Sequence, residues 1–131
     1  MEADRLKTIP FFAALSDDDR EAVAEAAFEV EAAAGDTLAT EGDFGYALYA
    51  IESGAADVSV DGAHLRTLGP GDVFGEIAVL ASGRRTATVV ASEPLRLIAL
   101  FKRDVWALEQ RNPDAAARLR ALVAERRTAA G

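Results

Sequence analysis

Nine of the ten glycines fall between residues 35 and 83, at positions 35, 42, 45, 54, 62, 69, 71, 75 and 83. Glycine weakens helix interiors but permits tight turns with positive φ, so this middle third cannot be helical. The flanks carry the opposite signature, being rich in the strong helix formers Ala, Leu, Glu and Arg. The chain therefore reads as helices, a turn-rich β region, and helices again.

Residue patterns support each part. Ser16 precedes Asp17-Asp18-Asp19, which combines a good N-cap with three acids at the positive end of a helix dipole. Apolar residues at 22, 23, 26, 27 and 30 follow at helical spacing. Ahead of it, Leu6 to Phe12 reads as a short helix or turn that packs two aromatics. In the middle, Tyr46 to Ile51 is a short buried strand, and Ala56 to Val60 alternates inward and outward. Asp61-Gly62 then gives a two-residue hairpin turn into a return strand with Leu65, Thr67 and Leu68. Thr86–Ala91 and Leu95–Leu100 form two more strands around Glu93-Pro94. Turn signals spaced about 8–12 residues apart point to antiparallel strands rather than βαβ units. After Lys102, Val105, Trp106 and Leu108 are read as packing inward on one helix, which Asn112-Pro113 breaks, and Leu119, Leu122 and Val123 fall on one face of the next. The expected fold is mainly β with flanking helices. It is one domain over 1–131, with N-terminal helices at about 3–27, an antiparallel β-roll at about 28–101, and C-terminal helices at about 102–127.

Composition excludes several functions. There is no cysteine, hence no disulfide, thiolate zinc site or thiol nucleophile. A single histidine, His64, is read as a surface strand residue and does not supply the His cluster of a β-roll metal enzyme. The serines have no evident base partner, so no enzyme is expected. The net charge of -8 disfavours binding to a nucleic-acid backbone. No apolar run approaches the roughly 18 residues of a membrane span, and the acidic start Met1-Glu2-Ala3-Asp4 is unlike a signal peptide. A cytoplasmic domain is expected.

One stretch carries chemistry. Gly71-Asp72-Val73-Phe74-Gly75 is a Gly-punctuated turn that runs into Glu76-Ile77-Ala78-Val79-Leu80-Ala81, about a turn and a half of good helix former, and then Arg84-Arg85. A helix start offers free N–H groups to an anion, and an arginine fork grips a phosphate through two parallel bonds. A nearby carboxylate repels phosphate but can accept from sugar hydroxyls. Together they suit a small phosphorylated sugar.

Phe74-Gly75-Glu76-Ile77-Ala78, followed by Arg85-Thr86-Ala87-Thr88-Val89, resembles the phosphate-binding cassette of cyclic nucleotide-binding domains. These occur in kinase regulatory subunits, gated channels and bacterial catabolite-activator-type regulators. Gly35-Asp36-Thr37-Leu38, Glu41-Gly42-Asp43, Leu48 to Gly54 and Leu68 to Asp72 resemble that family's turns in order, so the likeness spans roughly residues 6–125. The resemblance implies that Arg85 pairs with the cyclic phosphate and Glu76 accepts from the ribose 2′-hydroxyl, with Gly75 shaping the turn. Backbone N–H groups near Ile77, Ala78 and Ala87 would complete the cradle. Thr86 would bear on selectivity, leaving cyclic GMP open beside cyclic AMP. Val73 and Leu65 would neighbour the base, and Leu119, Leu122 and Val123 of the last helix would close over it. No cofactor is implied. An effector protein or a homodimer seam would use the C-terminal helices, and any DNA-binding or channel output would lie outside these residues. An interaction module of the same fold that ignores nucleotides is the alternative.

Overall fold

The computed structural model describes residues 1–75 and 84–130, without the side chains of residues 119, 122, 123 and 125–130. A 3₁₀ turn (Ala3–Thr8), α1 (Pro10–Ala13) and α2 (Asp17–Ala26) lead into eight strands. These are β1 (Phe28–Ala32), β2 (Thr37–Ala39), β3 (Ala47–Ser53), β4 (Ala56–Val60), β5 (Ala63–Leu68), β6 (Val73–Phe74), β7 (Thr88–Ala91) and β8 (Leu95–Phe101). Helices α3 (Lys102–Arg111) and α4 (Pro113–Ala130) follow.

The strands form two antiparallel four-stranded sheets, ordered β1-β8-β3-β6 and β2-β7-β4-β5. Successive strands switch between the sheets except at the β4-β5 hairpin, which gives the open antiparallel β-roll expected of the chain. Strands β3 and β8 lie at the centre of the first sheet and are covered on both faces. One face of this sheet, with Leu48, Ala50, Ile98 and Leu100, packs on Leu6, Ile9, Phe12, Val105 and Leu108 of the helices. The other, with Ile51, Leu95 and Leu97, meets Val58, Leu68 and Val89 of the second sheet. Burial on both faces explains why β3 reads as a nearly continuous apolar run rather than an alternating one.

Local rules account for the boundaries. Ser16 caps α2 by accepting from the Asp19 N–H at 3.2 Å. The Asp61-Gly62 turn has positive φ at both residues, 52° and 80°, as a type I′ hairpin requires. Asn112 separates α3 from α4, and its side chain accepts from the Ala115 N–H at 3.2 Å. Phe11 and Phe12 sit edge-to-face with centroids 5.2 Å apart.

Two readings need correction. The apolar spacing through Val30 overextends the helix: α2 stops at Ala26, and Val30 belongs to β1. Trp106 does not pack inward with Val105 and Leu108 but is 56% exposed, against 1% and 4% for those two. A step of one residue turns a helix by about 100°, so Trp106 leaves the face that Val105 and Leu108 share.

The two ends of the chain are tied by charge. Arg118 of α4 donates to both carboxylate oxygens of Asp19 in α2, through Nη2 at 2.7 Å and through Nε. Asp19 itself is only 2% exposed. The Arg118 guanidinium, helped by Ser16, holds that carboxyl below its ordinary value against the opposing effect of burial. Arg111 of α3 pairs with Glu25 at 2.7 Å. These contacts hold the described part of the C-terminal helices against the N-terminal ones.

Candidate functional site

The chain leaves β6 through Gly75, whose φ of +81° is open to glycine and costly for other residues. Space imposes the same choice. A Cβ at Gly75 would lie 2.9 Å from the Ala47 carbonyl and inside van der Waals contact of the Arg85 guanidinium. Residues Glu76, Ile77 and Ala78, and the expected phosphate-binding helix with them, lie outside the described residues.

The chain is described again at Arg84, which bridges to Phe44. The backbone of Arg85 is pinned on both sides. Its N–H donates to the Asp43 carbonyl at 2.7 Å, and its carbonyl accepts from the Gly42 N–H at 3.0 Å. This anchoring makes the Arg85 side chain run inward, where it is only 9% exposed and its Nη1 donates to the Gly75 carbonyl at 3.4 Å. Arg84 turns the other way, donating to the Gly42 carbonyl at 2.9 Å with its guanidinium 4.3 Å from the Phe44 ring centroid. The Glu41 N–H donates to the Thr88 hydroxyl at 3.0 Å, fixing the start of β7 beside the same loop.

These elements enclose a cavity between the sheets. Val58, Leu68, Val73, Phe74 and Val89 form its apolar wall, and Gly75, Arg66, Arg85, Thr86 and Ala87 complete its lining. Of the residues singled out from the sequence, the fold thus brings together Val73, Phe74, Gly75, Arg85, Thr86 and Ala87. Thr86 is exposed at the rim and Ala87 half-buried. Leu65 is not among them: it is 59% exposed on β5, whose alternate residues Arg66 and Leu68 face the cavity. The side chains of Leu119, Leu122 and Val123 lie outside what is described.

The sequence reading missed Val58, Arg66, Leu68 and Val89 as wall residues. Strand parity was a signal for one pair, since it places Leu68 with Arg66 rather than with Leu65. The pairing that sets Val58 opposite both Arg66 and Val89 is instead a product of the folded sheet, with a register shift after Val58. Two guanidiniums thus reach one apolar-walled cavity in a chain of net charge -8. The low dielectric of such a wall strengthens a charge-assisted bond to an anion.

Comparison with known proteins follows this geometry. A sequence profile described as "Cyclic nucleotide-binding domain" matches residues 29–112, from β1 through α3. The "Cyclic AMP receptor protein" of Thermus thermophilus is 45% identical over 93 residues, covering 66% of this chain and 42% of that protein. A "cAMP-dependent protein kinase regulatory subunit" of Eremothecium gossypii is 41% identical over 100 residues, covering 76% of this chain and 22% of that protein. The match therefore spans less than half the length of either relative. Among solved structures, the N-terminal domain of a transcriptional regulator from Streptomyces coelicolor A3(2) superposes with a TM-score of 0.80 at 35% identity. That superposition covers 97% of this chain and 92% of the other.

Proposed function

Because the chain belongs to the cyclic nucleotide-binding domain family, we propose that it is a regulatory sensor that takes cyclic AMP, and secondarily cyclic GMP, into the cavity between its sheets. The observation that carries this reading is Arg85: a guanidinium only 9% exposed, anchored through its backbone and directed at a cavity with apolar walls. A buried cation in such a place is best matched by a compact anion carrying an apolar group. A cyclic nucleotide has both, in its phosphate and its base.

In this reading the exocyclic phosphate oxygens meet the Arg85 fork. Gly75 keeps the backbone clear of it, and Glu76 accepts from the ribose 2′-hydroxyl. Backbone N–H groups near Ile77, Ala78 and Ala87 complete the cradle. Thr86, at the rim, offers a hydroxyl that distinguishes guanine from adenine. The base lies along Val73 and Leu68, with Arg66 at the opening. The C-terminal helices transmit the event through Leu119, Leu122 and Val123, which close over the base. Closure is a population shift, so the nucleotide must bind the closed arrangement better than the open one. The chain itself performs no reaction, and the domain's output passes to a partner.

Thermal denaturation with and without nucleotide tests this reading. At an affinity of about 1 μM, 1 mM cyclic AMP is about a thousandfold excess and stabilises the folded state by about 4.1 kcal/mol. That raises the midpoint on the order of 10 °C for a chain of this size. No shift with either cyclic nucleotide at that concentration refutes the sensor and leaves an interaction module of the same fold.

A further inference from the structure

Five large apolar side chains are exposed among the described residues: Phe28, Phe44, Tyr46, Leu65 and Trp106, at 47–67%. Single exposed apolar residues are ordinary, but a contiguous group marks a contact surface. Four of these five gather around Phe101 at the end of β8. The Phe28 ring lies edge-on to Phe101 at 5.7 Å. Tyr46 and Trp106 line with Phe101 an apolar groove of about 410 Å³. Phe44, Tyr46 and Phe101 share the adjoining cavity of about 260 Å³. The Lys102 N–H donates to the Tyr46 carbonyl at 2.7 Å, which ties the start of α3 to this rim.

The same face collects cations. The Lys102 ammonium stands 5.8 Å from the Trp106 centroid, the Arg103 guanidinium 5.4 Å from Phe101, and that of Arg84 4.3 Å from Phe44. Among the described residues, Asp104, 4.0 Å from Arg103, and Asp43 in the adjoining cavity are acids that face this region. Elsewhere the body is acidic, and the whole chain carries -8. Tryptophan, tyrosine and arginine are the residues that carry most of the energy in protein interfaces. Arg85 reaches the adjoining cavity as well as the one between the sheets. The groove formed by Tyr46, Phe101, Lys102, Arg103 and Trp106 does not include it, so the Trp106 end of this face is separate from the nucleotide reading.

We infer that this aromatic groove and its cations dock an acidic segment of a partner protein that carries large apolar side chains. Charge complementarity selects that occupant. A second copy brings another net charge of -8 to the contact, and a long polyanion is repelled by the acidic body. A short acidic segment meets the local cations, while its apolar side chains fill the groove.

Trp106 is the single tryptophan of the chain, so its fluorescence reports on this face alone. The test is a random dodecapeptide display on the intact chain, subtracting peptides that also bind the Lys102→Glu/Trp106→Ala variant. The expected survivors carry Asp or Glu together with Phe, Trp or Leu. A synthesised tryptophan-free survivor should shift Trp106 emission to shorter wavelength and bind Lys102→Glu at least tenfold more weakly. Trp106 is exposed and Lys102 half-buried, and an unchanged melting temperature verifies that the variant folds. No peptide surviving subtraction, or survivors without net negative charge, overturns the inference. So does self-association in sedimentation velocity that the double variant abolishes, which assigns the face to a second copy.

Discussion

Gly75→Ala separates a glycine required by its turn from a glycine required by its neighbour. Gly35 and Gly75 both have positive φ, +93° and +81°. Around Gly35 a Cβ meets nothing within 4 Å, whereas at Gly75 it meets the Ala47 carbonyl at 2.9 Å and overlaps the Arg85 guanidinium. Gly35→Ala should therefore cost only the conformational penalty, about 1–2 kcal/mol. Gly75→Ala adds overpacking of about 1–3 kcal/mol, a total of about 2–5 kcal/mol. Against a total stability of about 5–15 kcal/mol that is a large loss. It should be accompanied by displacement of Arg85 and a cyclic AMP affinity at least about tenfold lower, equivalent to about 1.4 kcal/mol. Urea denaturation of the two variants and the wild type, with a calorimetric titration of each, measures both effects. Equal stability losses for the two variants, with wild-type affinity retained by Gly75→Ala, would refute the proposed packing of Arg85 against Gly75.

Two further substitutions probe the scaffold. Arg118→Met leaves the Asp19 carboxylate buried without its guanidinium partner, while Asp19→Asn leaves a half-exposed guanidinium that water can solvate. Arg118→Met should therefore lower the melting temperature more than Asp19→Asn does. Because the carboxyl of Asp19 is held below its ordinary value of 3.8, the stability it contributes is fully present above that pH. It is lost as pH falls through the lower folded-state value. The melting-temperature gap between wild type and Asp19→Asn should thus be constant from pH 7 to 5 and narrow below about 3.8, a pattern that a pH series of thermal melts detects. In α3, Leu108→Ala should cost about 2–5 kcal/mol as a core truncation, whereas Trp106→Ala should stay within about 0.5 kcal/mol, as solvent-facing positions do. Chemical denaturation distinguishes them, and a large loss at Trp106 would contradict its exposure.

Much of the roll was legible in the residues because its strands obey simple local rules. The Asp61-Gly62 turn names its own hairpin, and the double-sided burial of β3 leaves an apolar run. β1 was harder to see, since the spacing of Ala22, Val23, Ala26, Ala27 and Val30 suits a helix that in fact stops at Ala26. β6 is two residues long, too short to show any period. The cavity was legible where chemistry is local, at Gly75 and Arg85, and obscure where it depends on pairing. Nothing near Val58 in sequence indicates that it meets Val89 and Arg66 across two strands. Leu65 and Trp106 show the same limit: both are large and apolar, yet strand parity and helix rotation turn them to solvent. The pair Asp19–Arg118 joins residues 99 positions apart, which only the folded chain brings together.

The seat of the phosphate is the central claim, and Arg85→Ala tests it most directly. Removing one partner of a buried, hydrogen-bonded charge pair costs about 2–5 kcal/mol, so calorimetric titration with cyclic AMP should find binding weakened by at least about thirtyfold. Arg84→Ala, whose side chain turns outward to Phe44 and the Gly42 carbonyl, should remain close to wild type in the same titration. An Arg85→Ala protein that is folded and binds cyclic AMP with wild-type affinity would contradict the account.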